Sequence, residues 1–257
     1  MISFERVTKQ YDDDITALDD ITLTIHPGEF VSITGHSGSG KTTLLKMIWA
    51  EENPTSGKVY FGKDEIHRLP RHLIPEHRRR IGSVFQDYRL LPHKNVFENV
   101  AFMLEVSGRS DEDIMHDVPY ALDLVNLVGK EHRYPHQLSA GEQQRLAIAR
   151  AIIHQPQVLL ADEPTGNLDP ATADEIIAIF KKLNELGTTV ILTTHSKQIV
   201  DSLARRVITL NQGRIIHDDI KGSYRVGSTM ATPAPKKKQV SQQQTIEHAN
   251  HNKNSSV

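Results

Sequence analysis

Eight consecutive residues, Gly35-His36-Ser37-Gly38-Ser39-Gly40-Lys41-Thr42, constrain the fold of this chain more than any other stretch. They match the pattern Gly, four residues, Gly-Lys-Ser/Thr. Phe30-Val31-Ser32-Ile33-Thr34 reads as a buried strand running into them, and Thr43-Leu44-Leu45-Lys46-Met47-Ile48 as a helix leaving them. Such a strand–loop–helix unit predicts an α/β fold. The glycines admit backbone angles that a side chain forbids, so successive N–H groups can turn onto one anion. The helix start adds its unpaired N–H groups and the positive end of its dipole. Lys41 supplies a mobile charge for outer phosphates, and the Thr42 hydroxyl a ligand for Mg²⁺. The expected nucleotide-binding set is Gly35, His36, Ser37, Gly38, Ser39, Gly40, Lys41, Thr42 and Thr43.

Before this unit the chain reads as β. Ile21-Thr22-Leu23-Thr24-Ile25 alternates apolar and polar, and His26-Pro27-Gly28-Glu29 is a turn. Lys58–Phe61 and Ile81–Phe85 read as further strands, and the run Arg78-Arg79-Arg80 as a solvated face. From about Asp87 to Gln155 the period becomes helical. Helices are expected over Val96–Val106, over Asp111–Val128 with Ser110 as cap and a kink at Pro119, and over Gly141–His154. A helical block of roughly 70 residues is thus inserted between β segments. Val158–Ala161 and Thr188–Thr194 then read as strands. Asp169-Pro170 opens a helix that Gly187 closes. Arg206–Leu210 and Arg214–Ile216 flank Asn211-Gln212-Gly213 as a hairpin. From about Gly227 the composition turns to Ser, Thr, Gln, Asn, Pro and Lys, which predicts a disordered tail. Within it, Lys236-Lys237-Lys238 reads as a solvated charge run.

Hydrolysis needs more than a phosphate loop: a carboxylate for the metal and a base for water. Asp162 and Glu163 end the apolar strand Val158–Ala161, on the side of a parallel sheet where ligands bind. Asp162 is the expected Mg²⁺ residue with Thr42, and Glu163 the group that orients or deprotonates water. His195 ends the strand Thr188–Thr194, within reach of a γ-phosphate and the water. Gln86 ends Ile81–Phe85 and is a further candidate for the metal or the water. In Leu138-Ser139-Ala140-Gly141-Glu142-Gln143-Gln144-Arg145, Ser139, Gly141 and Glu142 sit at a helix start, a second anion site. One nucleotide rarely needs two such starts from one subunit. Two subunits arranged head-to-tail would lend each other theirs.

On these segments the chain resembles the ABC-type ATPases over about residues 1–217. Gly35–Thr42 resembles the Walker A loop, Gln86 the Q-loop, and Leu138–Gln144 the family signature. Val158–Glu163 resembles Walker B, Asn167-Leu168-Asp169 the D-loop, and His195 the switch histidine. Tyr11 matches the aromatic that stacks on adenine. One departure is Ala140, where glycine is usual; it is strained if that backbone needs positive φ. The resemblance implies a phosphate-loop NTPase core over residues 1–226, with an antiparallel β lobe and an α-helical subdomain at about 87–155. It also implies ATP and Mg²⁺ as cofactors and a homodimer formed on ATP binding. Gly35–Gly38, Phe85–Leu91 and Asn95–Phe102 point to the cell-division branch. That branch implies an FtsX-like integral membrane partner, control of peptidoglycan hydrolases, and a peripheral place on the cytoplasmic face of the membrane. Lipoprotein-release and macrolide-export ATPases share most of these motifs. A scaffold that hardly hydrolyses ATP is the other alternative.

Composition narrows the classes further. The chain has 257 residues, 24% charged and 38% hydrophobic, with net charge −2, so nothing favours bulk attraction to nucleic acid or anionic lipid. It has no cysteine, which excludes disulfides, thiolate zinc sites and Fe–S clusters. Met1-Ile2-Ser3-Phe4-Glu5 is not a signal peptide, and no apolar run approaches the roughly 20 residues that span a bilayer. The 14 histidines lack metal spacing and read as mostly solvated. No Asn-Lys-x-Asp guanine-reading motif is present, and the coiled coils or zinc cysteines of soluble DNA-repair relatives are missing.

Overall fold

The computed structural model describes residues 1–11 and 15–222. The tail expected from residue 227 onward, with its lysine run, lies outside the described residues. Two sheets organise the rest. The first is antiparallel, in the order β2 (Thr16–Ile25), β1 (Ile2–Gln10), β4 (Ser56–Phe61), β5 (Asp64–Glu65). The second has six strands: β10 (Arg214–Asp219), β9 (Arg206–Asn211), β3 (Phe30–Thr34), β8 (Thr189–Thr193), β7 (Val158–Asp162) and β6 (Ile81–Val84). Its pairs are parallel except β10 on β9, the expected hairpin.

β3 and β8 are buried along their whole length, so both faces of the second sheet are covered. Alternation sends neighbouring side chains to opposite cores. Val158, Leu160, Ile191, Val31 and Ile33 pack with the antiparallel sheet and helix α1 (Lys41–Ile48). Leu159, Ala161, Val190 and Leu192 pack with α3 (Val96–Val106), α4 (Asp111–Leu124), α5 (Ala140–Ile152) and α6 (Pro170–Glu185). The helix α5 lies against β6 and α6 as well as α3 and α4, so the helical block shares its last helix with the central sheet. Among the described residues no helix is long and apolar enough to cross a membrane.

Several local expectations are corrected. Helix α1 starts at Lys41 rather than Thr43, because Gly40 at φ 103° is already its cap. Helix α4 runs through Pro119 as one helix. The carbonyl that Pro119 leaves without a helical donor belongs to Met115, an exposed residue of the helix. That helix stops at Leu124 instead of Val128, with Asn126 left-handed at φ 57° just beyond. The arginine run is not merely a solvated face. His77, Arg78 and Arg79 end a short helix α2 (Ile74–Arg79), and Arg80 stacks over Phe61 while pairing with Asp64. His77 itself is buried. A helix α7 (Lys197–Leu203), capped by Ser196, leaves no clear period in the sequence because it has only seven residues.

Candidate functional site

The phosphate loop is wedged between two strands. A Cβ on Gly40 would come within 2.4 Å of the Ala17 carbonyl oxygen of β2, and one on Gly35 within 2.4 Å of that of Leu210 on β9. Close backbone approach, as much as positive φ, therefore demands glycine here. The Ser39 carbonyl accepts the Gly213 N–H at 3.2 Å, which ties the loop to the β9–β10 turn. Lys41 is buried; its Nζ donates to the carbonyls of Gly35 (2.9 Å) and His36 (3.1 Å) and lies 3.8 Å from Glu163 Oε1.

Strand order brings the two acids to this lysine. Strand β7 lies beside β8, with Asp162 in register with Thr193. The Thr42 hydroxyl donates to Asp162 Oδ2 at 3.0 Å, and that of Thr193 to Asp162 Oδ1 at 2.6 Å. Glu163 has left-handed φ, 48°, which is costly for a residue with a side chain. Its N–H donates to Thr193 Oγ1 (3.0 Å) and to the Thr193 carbonyl (3.2 Å), which hold it there. Glu163 Oε2 meets His195 Nδ1 at 3.1 Å. Thr42, Asp162, Lys41, Glu163 and His195 thus form one cluster of expected residues. Thr193 was missed by sequence reasoning. A threonine within a β-branched strand carries no signal until that strand is known to neighbour β7.

A hydroxyl beside a carboxylate suits Mg²⁺, which takes oxygen ligands and binds through one or two carboxylates together with substrate phosphates. No group of three or more His, Asp or Glu side chains disposed to hold a metal occurs among the described residues. Gln86, the other metal candidate, is exposed, and its Nε2 lies 3.2 Å from where a Cβ on Gly166 would stand, in the turn after Glu163. Tyr11 is half-exposed at the edge of the cluster, with its hydroxyl 3.4 Å from that of Thr43 and Lys9 Nζ 4.9 Å from its ring centre.

The start of α5 is a second locality, with no hydrogen bond or ion pair to the phosphate loop among the described residues. Ser139 caps the helix. Its Oγ accepts the Glu142 N–H (3.3 Å), and Glu142 Oε2 accepts the Ser139 N–H (2.9 Å), a reciprocal capping box. Ala140 is the first residue of the helix and does not have positive φ, so the methyl is unstrained. Gly141 is required for a different reason. A Cβ there would stand 2.4 Å from Thr172 Cγ2 in the first turn of α6. Thr172 in turn donates its hydroxyl to Asp169 Oδ2 (2.6 Å) and its N–H to Oδ1 (3.1 Å), capping α6. These bonds hold the Asp169 carboxyl below the usual range. The segments around Ser139 and Asp169 are therefore packed as one unit.

The chain is similar to known proteins over most of its length. The family model described as ABC transporter matches residues 18–166. The chain is 48% identical over 224 residues to the cell division ATP-binding protein FtsE of Bacillus subtilis (strain 168), covering 87% of this chain and 98% of that protein. It is 46% identical to the protein of the same name from Escherichia coli (strain K12), covering 84% of this chain and 97% of that one. Among solved structures it is similar to the ATP-binding cassette MJ0796 in a dimeric post-hydrolysis state bound to ADP and Pi. That match has a TM-score of 0.78 and 37% identity, covering 87% of this chain and 100% of the other.

Proposed function

The chain belongs to the ABC transporter family of ATPases, and on that premise we propose that two copies close head-to-tail over two ATP molecules to move a membrane partner in cell division. It converts ATP and water to ADP and phosphate. In the proposed arrangement, Gly35–Thr43 cradle the triphosphate of one subunit, Lys41 meets its outer phosphates, and Tyr11 lies against the base. Ser139 and Gly141 of the other copy, with Glu142 as cap, complete the site from across the interface. Thr42 and Asp162, with Gln86 drawn in, would hold Mg²⁺, which screens phosphate charge when bound. Glu163 takes the proton of the attacking water, and His195, 3.1 Å from it, orients that carboxylate. The observation that carries this reading is the pairing of two complete helix starts, α1 and α5, with no bond between them in one chain among the described residues. One is built around Lys41 and the other around Ser139.

The names of the relatives support the cell-division role. By that reading the partner is FtsX-like, the chain is peripheral to the cytoplasmic face of the membrane through it, and the work done is control of peptidoglycan hydrolases outside. Low-turnover scaffolding loses its support, because Ala140 is an ordinary helical residue.

Glu163→Gln tests the mechanism. The variant is expected to bind ATP, to shift to a dimer in light scattering, and to turn over about 10²–10⁴-fold more slowly, the scale of general-base loss. Turnover at the parent rate would remove Glu163 from the assigned role.

A further inference from the structure

Glu142 puts a full negative charge in the first turn of α5. One carboxylate oxygen is used by the capping box with Ser139. The other, Oε1, is met by the Nζ of Lys130, from the loop that precedes the helix. The pair is partly buried, with side chains 30% and 21% exposed. The Lys130 contact first, and the Ser139 N–H second, hold the carboxyl below its ordinary range, so it is ionised at neutral pH. A carboxylate at a helix start stabilises the helix, because it faces the positive end of the dipole. It also cancels the field that would attract a phosphate to the same place. On the cross-subunit reading, this helix start must meet a triphosphate, so an uncompensated Glu142 would repel the ligand it helps to complete.

We propose that Lys130 is a positioning residue of the nucleotide site, neutralising Glu142 and keeping it folded back in the capping box so that Ser139 and the helix N–H groups present a net positive end to the other copy's ATP. Lys130 itself need touch no nucleotide. This inference rests on the dimer reading. It adds that the charge of residue 142 is tolerated only because residue 130 answers it.

A double-mutant cycle on the full chain, made in the Glu163→Gln background to block turnover, tests it. ATP is titrated and dimer formation read by light scattering. Lys130→Met is expected to raise the ATP concentration for half-dimerisation about tenfold, the scale of one close charge interaction at a protein surface. The loss should shrink with added salt. Lys130→Arg should stay within about twofold of the parent, since it keeps the charge. Glu142→Gln keeps an acceptor for the capping box but has no charge. With that change present, adding Lys130→Met should cost less than about twofold. An equal loss from Lys130→Met in both backgrounds, or no loss in either, overturns the proposal while leaving the dimer reading intact. A Glu163→Gln parent that stays monomeric with ATP defeats both.

Discussion

At the scale of single residues, Thr193 shows how little chemistry separates a strand residue from a site residue. Its buried hydroxyl gives its proton to Asp162 and accepts the N–H of Glu163, so one oxygen sets the position of both adjacent acids. Thr193→Val keeps the shape and removes the hydroxyl. Leaving a carboxylate and a strained N–H short of a partner costs about 1–3 kcal/mol. We expect a fall in kcat of about tenfold to a hundredfold with a smaller change in KM, because in the proposed mechanism the acids act on the transition state. Steady-state ATPase assays check this, and Thr193→Ser should restore most of the rate. Parent activity in the valine variant would show that Asp162 and Glu163 are held by other means. Gly141 makes the complementary point. Its residue type suggests a demand of nucleotide approach, yet packing on Thr172 is sufficient cause.

At the scale of elements, the phosphate-loop helix is held at both ends. Its start carries Lys41 and Thr42. At and just past its end, helix α2 answers the last carbonyls: His77 Nε2 bonds that of Ile48 (2.8 Å), and Arg78 donates to those of Trp49 (3.2 Å) and Ala50 (3.1 Å). Cationic and N–H donors at a helix C-terminus also complement its dipole. Burial holds the His77 pKa below its ordinary value, and the charge of Arg80 adds to this. The unfolded chain therefore takes up the proton first as pH falls. Stability is full above about pH 6.5, the unfolded value, and is lost as pH drops from there toward the lower folded value. Burial acts on His154 in the same direction. Thermal melts between about pH 8 and pH 5 should show this acid-side loss, with a smaller loss in His77→Leu. An identical pH dependence in that variant would assign the loss to other groups.

At the scale of the molecule, the stretch after Gln86 has an uncommon backbone. Tyr88 and Arg89 are both left-handed, at φ 55° and 48°, an expensive conformation for two successive side chains. Arg89 stacks 3.7 Å from the Phe85 ring centre, and Arg150 donates to the Tyr88 carbonyl at 3.2 Å. We propose that residues 87–108 receive the membrane partner. Crosslinkers placed at Arg89 or Phe97 should capture that subunit in membranes where the two are co-expressed, with a yield that changes when ATP is added. Capture only through the C-terminal tail would move the docking surface elsewhere.

Read alone, the sequence determined whatever is written in consecutive residues. The glycine-rich loop with its lysine, the acid pair closing an apolar strand, the serine-capped helix and the alternation of β and helical periods were all legible. Each is a local pattern enforced by backbone geometry. The tertiary structure alone decided which distant segments became neighbours. Strand order set β8 beside β7 and made Thr193 a partner of two acids. Helix packing set α6 against α5 and gave Gly141 its second reason. It also made Arg78, the first of the arginine run, a clamp just past the end of α1. The physical cause is that sheet order and helix contacts are chosen by burial of apolar surface over the whole chain, a sum that no short window of sequence contains.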